Sequence, residues 1–279
     1  NKRRSQRFGK LKMYEAYWGL NEKPFENTAD PRFLYYSKQH EEAFTRLIYA
    51  IQEQKGAAVL SGVFGCGKTV VAQAVLSSLS KGKYETAFVI NPQLSALELL
   101  REILYDLGLK DNLPTQKTDI LHSLDETLHH NVDDGKQTIV IIDEAHLIED
   151  RLIFEELRLL LNFQYKNRFL LTLILLGQPE LREKINNIKQ LAQRIAIKYY
   201  LSGLSETEIS EYMQHRLKVA GATKNYFDDS AIKIIYEQSG GIPRRINQIC
   251  DMALLTGFGS KAEIVSKEII MEVVKDIES

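Results

Sequence analysis

Apolar and polar positions follow two regimes along this 279-residue chain. Up to about residue 203, continuous apolar runs alternate with stretches of helical spacing; beyond it only helical spacing remains. The first helix is predicted over 39–54, where Ala43, Leu47, Ile48 and Ile51 recur on one helical face. "GAAVLSG" then predicts a short buried strand that runs into a glycine-rich stretch. "TVVAQAVLSSLS" predicts a helix stopped near Gly82, and "YETAFVI" a second strand. Helices are predicted over 95–107, ending at Gly108, and over 117–130. "QTIVIIDE" is a continuous apolar strand ending in two acids. "LIFEELRLLLNF" predicts a helix, "FLLTLILLG" a strand, and "AIKYYL" a further strand after a short helix.

Strands that are apolar throughout, separated by helices, imply a parallel sheet covered on both faces, an α/β three-layer arrangement. The change of character falls at "LSGLSETEI", where Ser205 is placed to cap a helix and Glu208 to complete the capping box. Helices are predicted over 205–220, 229–238, 242–257 and 266–277, an all-helical second domain. The expected division is a basic, disordered arm over 1–12, an α/β core over 13–203 and a helical lid domain over 204–279. No internal repeat or low-complexity segment is evident.

Composition narrows the class. Apolar content of 44% and charged content of 26% are ordinary for a globular chain. The longest apolar stretches fall far short of the roughly 20 residues that span a bilayer. There is no apolar signal core, and the two cysteines, Cys66 and Cys250, have no metal-ligand spacing, so a cytoplasmic location is expected. The net charge of −1 is unevenly spread: "NKRRSQRFGKLK" is strongly basic and the remainder of the chain is acidic. Such an arm can seek phosphate backbones or anionic lipid, or be a plain disordered leader before Met13. The acidic remainder argues against a body that coats nucleic acid non-specifically.

The glycine-rich stretch "SGVFGCGKTV" carries the first chemistry. Gly62, Gly67, Lys68 and Thr69 satisfy GxxxxGK[ST], with Gly65 and Cys66 inside the loop. At ordinary glycine usage the pattern arises by chance in about one chain in a hundred of this length. A strand before it and a helix after it make a phosphate loop the better reading over an ordinary turn. Lys68 would reach the β- and γ-phosphates of a nucleotide and Thr69 would hold Mg²⁺. Cys66 needs no catalytic role. Asp143, at the end of an apolar strand, is suited to Mg²⁺, directly or through water, and Glu144 to polarising an attacking water. Acids at a strand end often cap the next helix, but the preceding phosphate loop favours the catalytic reading. His146 is assigned no catalytic role. Gln178 follows another apolar strand and could bond the attacking water or form a simple turn. Arg194 stands between a short helix and a strand, where a surface ion pair is the commoner fate. In "GGIPRRIN", Pro243 opens a helix and Arg244 or Arg245 could reach a nucleotide.

With these pieces assembled, the chain resembles the AAA+ ATPases, and within them the ExeA family, also called general secretion pathway protein A. The resemblance rests on "MYEAYWGLNEKPFENTADPRFLYYSKQHEEAF", "LILLGQPELREKI", "QRIAIKYYLSGLSETEISEYMQHRLKVAG" and "GGIPRRINQICDMALL". It implies the P-loop NTPase fold, with ATP and Mg²⁺ as ligands. Glu144 then resembles the Walker B base and Gln178 the sensor-1 residue. Arg194 resembles an arginine finger acting on a neighbouring subunit, which implies a ring or filament. Arg244 resembles sensor 2, ahead of Arg245, and Asn91 a switch residue that holds the catalytic Glu idle. The segment 33–40 corresponds to where such proteins contact adenine, although its tyrosines could equally be core. Secretion-type members continue into a transmembrane helix and a peptidoglycan-binding domain, and neither is read in these 279 residues.

Three functions follow. The first is an oligomerising ATPase that powers or gates assembly of a secretion, pilus or envelope machine through a protein client. The second is an ATP-dependent DNA-binding regulator of the transposition or replication-initiator type, and the third a nucleotide-binding scaffold without turnover. The intact carboxylate pair disfavours the third.

Overall fold

The computed structural model describes residues 14–111 and 113–278. The arm expected over 1–12, and Met13 after it, lie outside the described residues. The chain opens with α1 (Tyr14–Tyr17), a 3₁₀ turn (Pro31–Phe33), α2 (Lys38–Gln52), β1 (Ala57–Gly62), α3 (Lys68–Ser78) and β2 (Tyr84–Val89). Then come α4 (Ala96–Asp106), α5 (Lys117–Asp133), β3 (Gln137–Ile142), a 3₁₀ turn (Ala145–Leu147) and α6 (Arg151–Leu160). A small hairpin of β4 (Gln164–Tyr165) and β5 (Arg168–Phe169) precedes β6 (Leu171–Gly177), α7 (Glu180–Asn186), α8 (Lys189–Ala192) and β7 (Ile195–Leu201). The remaining elements are helical: α9 (Glu206–Val219), α10 (Asp229–Ser239), α11 (Pro243–Gly259) and α12 (Lys267–Glu278). These elements form two compact units, one of Lys38–Ser202 and one of the residues up to Ser37 together with those from Gly203 onward.

In the α/β unit a five-stranded sheet runs in the order β2-β3-β6-β1-β7. Every pairing is parallel. All residues of β1 and β6 are buried, as expected of strands covered on both faces. Register pairs Ala57 with Leu173, Thr138 with Leu171 and Tyr84 with Gln137. The carboxyl ends of β3, β6 and β1 therefore share one edge, where ligands of open α/β sheets bind. Leu99, Leu100 and Ile103 of α4, Ile120 and Leu124 of α5 and Leu157 of α6 join one aliphatic core with the sheet. Ser95 and Glu98 close a capping box at the start of α4. The β4–β5 hairpin was not expected. Its strands are two residues each and mostly exposed, and its turn rests on Lys166 and Asn167 at φ of 48° and 64°.

The helical unit opens α9 with the Ser205–Glu208 capping box. One correction to the expected division concerns residues 14–37, which belong here rather than with the α/β core of 13–203. Tyr14, Trp18, Phe25 and Phe33 are buried in one cluster with Met213, Leu217, Ile235 and Ile246. Several of the segment's polar groups are met within the same unit. Trp18 Nε1 donates to Leu254 O at 2.9 Å, and the Asn21 amide donates to Ala220 O at 2.8 Å. The buried Arg216 donates from Nε to Pro24 O at 2.6 Å and from Nη2 to Glu26 O at 2.8 Å, with Phe33 against its guanidinium. Gly257 lies inside α11, where glycine costs about 1 kcal/mol against alanine. A Cβ there would stand 2.8 Å from Trp18 Cζ2, so the missing side chain makes room for the indole.

Candidate functional site

The phosphate-loop motif begins where β1 ends. A Cβ on Gly62 would meet Leu201 O of β7 at 2.2 Å, so the adjacent strand leaves space for glycine alone. Gly65 and Gly67 take φ of 78° and 100°, the left-handed region open to glycine. Gly67 is the N-cap of α3 and offers no side-chain acceptor, nor does the first turn of α3 carry an acid. Its leading N–H groups are thus left to an external anion. Lys68 is only 6% exposed and donates from Nζ to Gly62 O at 3.0 Å and Val63 O at 3.1 Å. Cys66 is fully buried, and burial pushes its thiol above the ordinary value against a smaller opposing pull from Lys68. It is a neutral packing residue. His40 of α2 lies against the loop, its Nε2 2.9 Å from Cys66 O.

Across the sheet edge, Asp143 is 4% exposed and divides its carboxylate between two donors. Thr69 Oγ1 donates to Oδ2 at 2.7 Å, and the Glu144 amide donates to Oδ1 at 2.8 Å. The motif threonine and the β3 acid, 74 positions apart in sequence, are thereby brought into contact. Glu144 takes φ of 48°, rare for a residue with a side chain, and leads into the 3₁₀ turn. Lys184 of α7 holds that turn by donating to His146 O at 2.5 Å and Ile148 O at 2.8 Å.

Gln178 follows β6 and meets a residue to which the sequence reading gave no role. Its Nε2 lies 2.8 Å from His146 Nε2, and His146 Nδ1 lies 3.3 Å from Glu144 Oε2. Glu144, His146 and Gln178 are therefore contiguous. A histidine two residues after a carboxylate in a tight turn was the available signal. Asn91 lies two residues past Val89, which pairs with Ile142, itself two residues before Glu144. It sits on the exposed turn after β2, and its Oδ1 accepts the nearby Gln93 amide at 3.2 Å, the local bond that a short amide side chain favours. Arg194 is half-buried and donates from Nη1 to Leu161 O, the C-cap of α6, at 2.8 Å. In the helical unit, Arg245 donates from Nε to Gln238 O of α10, while the Arg244 side chain at the start of α11 is exposed. Of the segment 33–40, Phe33 is buried in the helical unit's core and the Tyr35 hydroxyl donates to Glu211.

Comparison with known proteins places this arrangement. The AAA domain family matches residues 51–185. General secretion pathway protein A of Aeromonas hydrophila is 37% identical over 249 residues, 88% of this chain. The chain is an ExeA-like AAA+ protein. It spans 45% of the Aeromonas protein's length. Among solved structures, the ORC2 protein of Aeropyrum pernix in ADPNP–ADP complexes superposes with a TM-score of 0.72, at 15% identity over 91% of this chain and 71% of that one. The Aeropyrum pernix ORC1 protein in complex with DNA gives 0.65, at 15% identity over 86% and 65%. These two likenesses are of fold.

An AAA+ P-loop fold binds nucleotide, usually with Mg²⁺, and the residues of the ExeA-like chain fit both. The glycine loop and uncapped α3 suit phosphate oxygens. Thr69 and Asp143 supply the hard oxygen donors that Mg²⁺ takes. No helix among the described residues is long and apolar enough to cross a membrane.

Proposed function

We propose that this chain binds ATP with Mg²⁺, hydrolyses it, and uses the cycle to drive or gate assembly of a larger secretion, pilus or envelope machine. The observation that carries the reading is the 2.7 Å contact between Thr69 and Asp143, which joins the phosphate loop to the β3 end beside Glu144. The loop amides and Lys68 hold the β- and γ-phosphates. Thr69 and Asp143 hold Mg²⁺, which supplies neutralisation of phosphate charge when bound. Glu144 accepts a proton from a water whose oxygen attacks the γ-phosphorus, as the bond to the bridging oxygen breaks and ADP leaves. Gln178 orients that water. Arg194 acts on the nucleotide of a neighbouring copy, after exchanging Leu161 O for phosphate. Arginine fingers contribute about 10³- to 10⁵-fold in rate, so assembly sets turnover.

Glu144→Gln keeps shape while removing the base. Steady-state hydrolysis should fall by about 100-fold or more, with ATP affinity within about twofold of the parent. Undiminished hydrolysis in that variant would remove Glu144 from the role.

A second reading, ATP-gated DNA binding, is favoured by the likeness in fold to the ORC1 protein solved in complex with DNA and by the basic residues 1–12. On that reading, gel shifts with duplex DNA appear only with ATP and weaken steeply as salt rises. Equal mobility with and without ATP at low salt rejects it.

A further inference from the structure

We propose that His146 is the positioning residue for Glu144, bridging its carboxylate to Gln178. The inference rests on the ATPase reading above. The turn at 145–147 fixes where the imidazole can go. Its backbone is held by Lys184, and Gly177 lets it rest on the end of β6, where a Cβ would stand 3.1 Å from the His146 amide nitrogen. The ring is sealed, with its side chain 10% exposed. Glu144 Oε2 and His146 Nδ1 are both buried, neither has a hydrogen-bond partner, and they lie 3.3 Å apart, within ion-pair distance. A buried carboxylate oxygen without a donor is costly, and the ring nitrogen is the donor within reach.

The contact with Gln178 decides the tautomer. An amide nitrogen can only donate, so His146 Nε2 accepts from Gln178 Nε2 at 2.8 Å. In a neutral ring the proton then sits on Nδ1, the nitrogen 3.3 Å from Glu144 Oε2. A small turn of the ring brings that proton onto Oε2, so one imidazole can serve both neighbours. Oε2 is turned toward the ring and the second carboxylate oxygen is left to take the proton of the attacking water. His146, to which the sequence assigns no role, is thus a residue set against the acid.

The test uses the full chain and its variants His146→Ala and His146→Gln, with ATP affinity and steady-state kinetics measured in Mg²⁺. Misplacing a reacting group by about 1 Å can cost about 100-fold, so His146→Ala should lower kcat by about 10- to 100-fold. ATP affinity and KM should stay within about twofold, because the loop is untouched. Gln at 146 can donate to Glu144 and accept from Gln178, and should restore most of kcat. A second readout needs no turnover: ring-nitrogen NMR at about pH 8, where an ordinary imidazole is neutral, with the signal assigned by its loss in His146→Ala. It should give the Nδ1–H form. An Nε2–H ring overturns the proposal, as does an unchanged kcat, or an affinity loss in His146→Ala as large as its kcat loss. If the parent protein hydrolyses no ATP, the ATPase reading fails instead, and the ring spectrum still decides the contact.

Discussion

The two units are held together by different means. In the α/β unit, β1, β3 and β6 are aliphatic runs whose main chain is satisfied by the parallel ladder. Polar side chains gather at the carboxyl edge. The helical unit has an aromatic-rich core, and its N-terminal segment is tied in by side chains bonding to main chain. Arg216 reaches Pro24 and Glu26, Trp18 reaches Leu254, and the Tyr226 hydroxyl donates to Trp18 O. The first design leaves its strand ends for chemistry. The second spends buried polar groups on fixing one irregular segment.

The largest expected effect tests the first design. Gly62→Ala places a methyl group against a backbone oxygen in the sheet, and overpacking of this kind costs about 3 kcal/mol. Thermal unfolding followed by far-UV circular dichroism should show the loss, together with weaker ATP binding. A variant that melts with the parent would mean that β7 gives way easily. The helical unit has its own reporter, since Trp18 is the only tryptophan of the chain. Arg216→Ala leaves two carbonyls without their donor, and about 2 kcal/mol should be lost in denaturant unfolding followed by tryptophan fluorescence. An unchanged midpoint would show that the aromatic contacts alone hold the segment.

The smallest effect concerns pH. Burial, together with the charges of Arg216 and Lys218, holds His215 below its ordinary pKa, against an opposing bond to the Arg32 backbone. Its ring packs on Tyr35. The unfolded chain therefore binds the proton more readily. Stability from this group is present above about pH 6.5 and lost as pH falls through the depressed folded value. His215→Gln should flatten the fluorescence-detected stability across that window. An identical pH dependence in the variant would assign the effect to other groups.

Legibility in the sequence followed the range of each interaction. β1, β3, β6 and α9 through α12 were readable because burial on two faces forces an apolar run and burial on one forces helical spacing. The phosphate-loop glycines were readable because GxxxxGK[ST] is a local string. The β4–β5 hairpin, with two residues in each strand, is too short to show a period. Residues 14–37 carry aromatics without a period, so nothing local announced which unit would bury them. His146 is not legible because a lone histidine after "DEA" has no local requirement, and its partner Gln178 lies 32 positions away.

The sequence by itself determined the kinds of element, the glycine loop, and the residue types available for nucleotide chemistry. Each is set by backbone sterics and by hydrophobic burial within a few residues. The tertiary structure decided the company those residues keep. Parallel register carried Thr69 to Asp143 and Gln178 to His146, and the turn at 145–147 set the histidine against Glu144. The physical reason is that a contact between distant side chains costs nothing locally and leaves no mark in the pattern. It exists only once the sheet has aligned its strand ends.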